Sequence, residues 1–293
     1  MKETKLVKNA GKTKKRAANR KTSAGGAATA TDVLGNDSTG AEHPSFFERE
    51  LAQDYAFQAM EARTAEQARE LVQRALAIDA DCVDALVMMT ELEADNPRDA
   101  IAGLKKAVEA GERSLGAAFF KENRGHFWGL TETRPYMRAR FSLAELLRAV
   151  GHGREAMRHY AALVELNPND NQGARDPLLG CYLAHGELTR ATNLLTAYKD
   201  DSLATFAWGR VLERFLARDR KGAGAALKIA RAKNPFVELL FSGLKNMPDE
   251  LPEMYSPGSE EEAVFCFEHL VAGWTKNHKA MFWLLDRLYG VKG

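Results

Sequence analysis

The sequence predicts an all-α protein, a tandem α-solenoid of antiparallel helix pairs. From Pro44 onward, apolar residues recur with the 3.6-residue period of helices, and the alternation typical of strands is absent. Turn signals recur near residues 79, 113, 167, 200 and 234, so three of the four intervals are about 33 or 34 residues. The remaining interval is about 20 residues longer, which predicts an insert at about residues 116–136.

The hairpin from Met137 to Asp170 is the clearest copy of the repeat. Ala156, Tyr160 and Leu163 lie on one face of its second helix, and Pro168 ends that helix because proline cannot continue it. The same spacing recurs in Ala68/Val72/Ala75, Ala100/Leu104/Ala107, Ala191/Leu195/Tyr198 and Ala223/Leu227/Ala230. Several copies in phase are typical of tetratricopeptide repeats, whose stacked first helices line a concave binding groove.

The two ends of the chain depart from the repeat. Residues 2–21 hold nine Lys or Arg against one Glu, a local charge of +8, so the remainder carries −7. Residues 1–42 have few large apolar side chains, and we predict a disordered basic arm. Repeats follow over residues 43–246. Residues 247–293 then form a Pro-rich loop and two helices, starting at the Ser259 cap, which we expect to cap the open end of the solenoid.

Sequence motifs for chemistry are missing. There is no Gly-rich phosphate loop and no His-Glu-x-x-His, and the scattered Cys82, Cys181 and Cys266 offer no Cys-x-x-Cys spacing. We therefore expect no cofactor, no metal and no catalytic residues. Free thiols, no apolar run of membrane length and no apolar segment after the basic stretch favour a cytoplasmic protein without a membrane span.

The insert and the junction at residues 167–175 are the candidate partner-binding regions, because aromatic and Arg side chains are enriched at binding hot spots. The residues are His126, Trp128, Glu132, Arg134, Tyr136, Arg138, Asn171 and Arg175. The alternative for the insert is an internal brace, in which Phe127 and Trp128 plug the fold and Glu132 pairs with Arg134 or Arg138. The alternative for Asn171 and Arg175 is ordinary helix capping.

Three stretches carry a family resemblance, namely residues 127–140, residues 166–173 and residues 255–264. Over about residues 116–290 the chain resembles a family of mostly bacterial tetratricopeptide proteins distantly related to the suppressor of tumorigenicity protein 7 of animals. The resemblance implies an α-helical repeat fold without enzymatic activity. It does not extend to the basic arm.

Two function classes follow from these observations. The first is a non-catalytic scaffold that binds a peptide or a partner protein in the solenoid groove. The alternative is a nucleic-acid- or ribosome-associated protein, or one attracted to an anionic surface, attached through its arm. The arm residues for that contact are Lys12, Lys14, Lys15, Arg16, Arg20 and Lys21. An enzyme would require His126, Glu132 and Arg134 to converge in a cavity.

Overall fold

A computed structural model of the chain describes residues 44–290. The predicted basic arm, including its six candidate nucleic-acid-binding residues, lies outside the described residues. The described residues 44–290 form two compact units, divided between Glu93 and Ala94. This division falls inside the segment predicted as one run of repeats.

The first unit contains three helices, α1 (Phe46–Met60), α2 (Ala65–Ile78) and α3 (Val83–Glu93). Ser45 and Glu48 form a capping box at the start of α1, and Thr64 caps α2. Small residues on α1 pack against Val72 and Ala75 of α2, which lets the two helices approach closely. The helix pair α1–α2 is therefore the first copy of the predicted hairpin.

The second unit contains ten helices: α4 (Pro97–Glu122), α5 (Arg134–Ala149), α6 (Gly153–Leu166), α7 (Arg175–Ala184), α8 (Leu188–Ala197), α9 (Ala204–Leu216), α10 (Arg220–Lys233), α11 (Phe236–Phe241), α12 (Glu260–Lys276) and α13 (His278–Tyr289). Pairs α5–α6, α7–α8 and α9–α10 are antiparallel hairpins in sequence order. Strands are absent from residues 44–290.

The turns inside the three hairpins share one backbone feature. Gly151, Gly186 and Arg218 each adopt a positive φ, of 85°, 75° and 64°, immediately after the first helix of a pair. This left-handed conformation closes a helix end, and glycine adopts it without steric cost. The recurrence shows that the three hairpins are structural copies. The all-α, tetratricopeptide-like architecture predicted from the sequence is confirmed.

The turn predicted near residue 113 corresponds to a break in the helical backbone at Gly116. There φ is 76° and ψ is 152°, and the break divides α4 into two helical segments. The insert then forms two 3-10 turns, Phe127–Gly129 and Thr131–Thr133, before α5 begins. The insert is therefore mostly helical in character.

Candidate functional site

Helix α12 lies on the surface that the first helices α7 and α9 share. A Cβ atom on Gly180 of α7 would stand 2.0 Å from the carbonyl oxygen of His269 in α12. On the other side of the contact, a Cβ on Gly273 of α12 would meet Leu212 at 3.1 Å and Leu183 at 3.3 Å. The helices approach at backbone distance because both positions lack a side chain.

The sequence predicts that the last two helices cap the open end of the repeats, and the position of α12 adds a second role. Helix α12 covers the α7–α9 surface, which is the groove predicted to hold a partner. The reason is apolar burial: Leu270 and Trp274 of α12 are fully buried, as is Leu179 of α7. Two further large side chains of α7, Leu178 and Leu183, are 1% exposed.

Glu262 fastens the start of α12. Its side chain is 3% exposed. It accepts hydrogen bonds from the backbone N–H of Gly258 at 2.7 Å and of Ala204 at 2.9 Å, and from Asn234 Nδ2 at 3.0 Å. The Ser259 hydroxyl accepts from the N–H of Glu262, as the sequence predicts. Glu262 is thus more than a helix-capping residue, because it joins α12 to the start of α9 and the end of α10.

Arg148 of α5 links this helix to α12. Its guanidinium lies 2.9 Å from Glu145 of the same helix and 2.7 Å from Glu268 of α12. Burial alone would raise the pKa of Glu145, but Arg148 and the hydrogen bond from Tyr160 outweigh it and lower that pKa. Glu145 is therefore ionised and fully engaged.

A pocket of about 270 Å³ remains between α5, the start of α7 and α12. Its walls include Phe141, Glu145, Asp176, Tyr255, Phe265 and His269. Burial lowers the pKa of His269, so its imidazole is mainly neutral at pH 7. The walls thus present carboxyl groups and aromatic rings, with no Lys or Arg side chain among the lining residues.

Asp176 is the exceptional group in this pocket. It is 9% exposed, and its Oδ1 atom is buried without a hydrogen-bond partner. Burial, and to a smaller extent the neighbouring carboxyl of Asp201, raise the pKa of Asp176 to about 7. A buried carboxylate oxygen without a hydrogen-bond donor is unfavourable, so this group either keeps a proton or accepts an incoming donor.

Gln172 and His269 add two more unpartnered acceptors to the pocket. The Gln172 amide donates from Nε2 to the carbonyl of Met137 at 3.2 Å, which leaves its Oε1 buried without a donor. His269 places Nε2 at 3.5 Å from the Glu268 carboxylate, and its Nδ1 is buried without a partner. With Nε2 as the protonated nitrogen, Nδ1 is an acceptor.

The insert combines a buried plug with an exposed rim. Phe127 is fully buried against the rings of Phe120 and Tyr136, and the Thr133 hydroxyl donates to the carbonyl of Phe127. Trp128 is half-buried, and the Arg134 guanidinium lies 5.5 Å from the centre of its ring. The burial of Phe127 agrees with the internal brace, whereas partner binding by the polar edge of the insert stays a prediction.

The candidate residues of the insert divide by exposure. His126 and Glu132 are exposed, whereas Trp128, Arg134 and Arg138 are partly exposed. Tyr136 is 1% exposed, so the expectation that it contacts a partner is corrected. A Cβ on Gly111 would meet the Tyr136 ring at 2.8 Å, and this close packing between α4 and α5 explains its burial.

Arg175 is likewise engaged inside the protein. Its Nη2 lies 2.7 Å from Asp201 Oδ2, and its guanidinium lies 4.9 Å from the Tyr198 ring and 5.6 Å from the Phe206 ring. The expected role in partner contact is therefore corrected to a brace between α7 and α9. Asn171 is exposed and directly precedes Gln172, which lines the pocket.

One face of α5 connects the insert with the pocket. Arg134, Arg138, Phe141 and Glu145 are spaced by four, three and four residues, which places them on one side of a helix. The first adjoins Trp128, and the last two line the pocket. We name this set the α5 face.

Sequence reasoning missed the pocket acceptors Gln172, Asp176 and His269. Asp176 stands at the second position of α7 before Pro177, where an acidic residue is an ordinary helix-start signal. Asp176 becomes a buried pocket residue only because α12 covers it. Within residues 44–290, no group of three or more His, Cys, Asp or Glu side chains is arranged for a metal ion, and no helix is long and apolar enough to cross a membrane.

Comparison with known proteins gives similarity of structure only. No protein-family model and no curated protein matches the sequence. The chain is similar to the crystal structure of YrrB, a tetratricopeptide protein with an unusual peptide-binding site, at 19% identity and a TM-score of 0.46, covering 62% of this chain and 84% of that one. It is also similar to tetratricopeptide-like repeats of a kinesin light chain from Podosopora anserina, at 18% identity and a TM-score of 0.41, covering 66% and 96%.

A third similar structure is pilF of Pseudomonas aeruginosa, at 15% identity and a TM-score of 0.30, covering 64% of this chain and 93% of that one. The repeated hairpins of the chain itself carry the structural assignment. On that evidence, it is an α-helical protein built from tetratricopeptide-like repeats.

Proposed function

We propose that the protein is a non-catalytic interaction module that binds a segment of a partner protein along the α5 face. The observation that carries this proposal is the continuity of that face, from the Arg134–Trp128 contact to the pocket beside Asp176. The originally predicted groove over α7 and α9 is covered by α12, so the α5 face supports binding better.

The α5 face has opposite charge at its two ends. Arg134 and Arg138 lie at the insert end, and the carboxyl of Asp176 lies at the pocket end, where Glu145 is already paired with Arg148. The distance along the helix from residue 134 to residue 145 is about 16 Å, which an extended segment of about five residues spans. A matching segment carries an acidic residue near the insert and a basic residue near the pocket, since complementary charges fix orientation and register.

The test compares the proteins captured from native lysate by the full-length chain and by its variants, with each captured protein quantified by mass spectrometry. Arg134→Ala combined with Arg138→Ala is the test variant. Arg154→Ala is the matched control, because Arg154 is exposed on α6 and does not belong to the α5 face. Circular dichroism verifies that every variant is folded.

The proposal predicts a set of proteins that the Arg154→Ala variant retains and the double variant loses. The same captured proteins in equal amounts for wild type, control and double variant would refute binding along the α5 face.

A further inference from the structure

The pocket beside α12 contains more hydrogen-bond acceptors than the protein satisfies. Of its carboxyl groups, Glu145 is engaged by Arg148 and Tyr160, and Glu262 accepts from three N–H groups. Asp176 Oδ1, Gln172 Oε1 and His269 Nδ1 are all buried and have no partner. Buried polar atoms are nearly always paired in folded proteins, so three unpartnered acceptors on residues that line one cavity favour a ligand that donates hydrogen bonds.

The number and type of these atoms specify the donor. An ammonium group carries three N–H donors and no acceptor, which matches three acceptors without requiring any donor from the protein. A guanidinium is planar and has five donors in a fixed fork, which is more than these three acceptors can pair. A neutral amide or hydroxyl would bring acceptors of its own into an acceptor-rich cavity.

The walls of the pocket suit a cation with an apolar stem. Phe141 of α5, Tyr255 of the Pro-rich loop and Phe265 of α12 line it together with the acceptors. Aromatic faces attract cations through their quadrupole and also bury methylene groups. The volume of about 270 Å³ is below the roughly 300 to 1,000 Å³ of pockets for drug-sized ligands, so a single side chain fits better than a cofactor.

We propose that this pocket binds the primary ammonium group of a Lys side chain in the partner segment, with Asp176 as its counter-ion and Gln172 and His269 as the other acceptors. The proposal rests on the function proposed above, since it assigns the basic residue of the segment bound along the α5 face. It also has a consequence that needs no partner: a small lysine derivative binds to the full-length chain alone.

The test is ligand-observed NMR titration of the full-length protein at pH 8, where Asp176 is mainly ionised. The probe is N-acetyl-lysine N-methylamide. The matched probes are the norleucine derivative, which has the stem without the ammonium, and the Nε-acetyl-lysine derivative, which has the stem without the charge. We expect saturable binding of the lysine probe and at least roughly tenfold weaker binding of both matched probes.

Protein variants assign the binding to the pocket. Asp176→Asn keeps the shape of the side chain and removes its charge. We expect this variant to bind the lysine probe at least roughly tenfold more weakly than wild type. Gln172→Met removes one acceptor, and we expect it to bind the lysine probe severalfold more weakly than wild type. It provides a second variant if Asp176→Asn does not fold. Glu213→Gln is the matched control with unchanged binding, because Glu213 is also buried but contacts Thr192 and Arg214 away from the pocket.

Several results would overturn the proposal. They are absence of saturable binding, equal binding of the norleucine and lysine probes, and equal binding by Asp176→Asn and wild type. Binding of n-butylammonium without binding of the lysine probe would show that the pocket takes a free amine instead of a lysine residue.

The two proposals can fail separately. If the lysine probe binds but the Arg134/Arg138 double variant captures the same proteins as wild type, the pocket assignment stands and the partner surface is wrong. If that double variant loses captured proteins while Asp176→Asn retains them, the partner surface stands and the lysine assignment is wrong.

Discussion

Helices α1 and α7 are both first helices of a repeat pair, yet they differ in what covers them. On α1, the rings of Phe46, Phe47 and Phe57 are 66%, 79% and 48% exposed. On α7, Leu178 and Leu183 are each 1% exposed, because α12 lies over them. The repeat itself buries only one side of a first helix, and the other side depends on a further element. In the second unit, α12 is that element.

Helix α12 is therefore part of the folded core of its unit, whereas the exposed face of α1 does not contribute to the core of its own unit. The close backbone contact at Gly180 is the most sensitive point of α12 packing. Substitutions at that contact, at Glu262 and at Asp176 should therefore change stability, whereas substitutions on the exposed α1 face should not.

The largest effect is expected from Gly180→Ala. Its methyl group would stand 2.0 Å from a backbone carbonyl, so α12 must shift and the free energy of unfolding should fall by about 3 kcal/mol. Chemical denaturation followed by tryptophan fluorescence measures this. Gly224→Ala is the matched control, because no atom lies within 4 Å of the added Cβ in the middle of α10. There, alanine should stabilise by about 0.5–1 kcal/mol. Equal effects of the two substitutions would contradict the close α7–α12 contact.

Glu262→Gln should come second. The acceptor of three buried or partly buried N–H groups becomes an amide that presents donors to donors, at a cost of about 2–3 kcal/mol in unfolding free energy. Glu261→Gln, on the exposed side of the same helical turn, loses only exposed contacts at the helix start and should have a far smaller effect. If Glu262→Gln were as stable as its neighbour's variant, the network joining α12 to α9 and α10 would not hold α12 in place.

The pH dependence of stability at Asp176 is expected to be the third effect. Burial raises its pKa from the ordinary value of 3.8 to about 7, so the folded chain retains a proton that the unfolded chain loses near pH 4. Stability contributed by this carboxyl is therefore present below pH 4 and is lost as the pH rises toward 7. Asp176→Asn abolishes this loss, and relative to wild type it should gain on the order of 2 kcal/mol between pH 5 and pH 8.

Other groups face Asp176 and titrate or carry charge in both proteins. They are Arg175, Asp170, Asp201, Glu262, Glu145, Tyr255 and His269. Taking the difference between variant and wild type at each pH removes most of their contribution. A difference in unfolding free energy that stays constant from pH 5 to pH 8 would show that Asp176 is not protonated in the folded chain at the lower pH.

Much of the helical framework could be predicted because it depends on local pattern. Ala156, Tyr160 and Leu163 recur at helical spacing, and all are buried as that spacing predicts. Ser259 caps α12 through the hydroxyl contact that its sequence indicates. Spacing and capping are properties of neighbouring residues, so a single sequence carries them.

The covered groove and its pocket could not be predicted in the same way. Gly180 gives no local signal that a second helix crosses it, and Asp176 has the pattern of an ordinary helix start. Their roles depend on α12, which lies about 80 residues later in the sequence. Arg175 was misassigned for a related reason, since its partner Asp201 belongs to the next repeat.

The smallest effect is expected on the exposed side of α1. Phe57→Ser removes a ring that is 48% exposed, and the free energy of unfolding should change by less than about 0.5 kcal/mol. Ala56→Ser is the matched neighbour on the buried side and should destabilise measurably, because Ala56 is fully buried against the rest of its unit. A large loss for Phe57→Ser would mean that the α1 face is covered in the folded protein.

Native-state hydrogen exchange of the full-length chain tests the central claim most directly. The account predicts that the backbone amides in the middle of α12 exchange as slowly as those of α7 and α9, because the three helices pack as one core. Exchange of α12 at the rate of an exposed loop, while α7 and α9 remain protected, would contradict it. The α7–α9 surface would then be open to a partner, and the reason for preferring the α5 face as the binding surface would no longer hold.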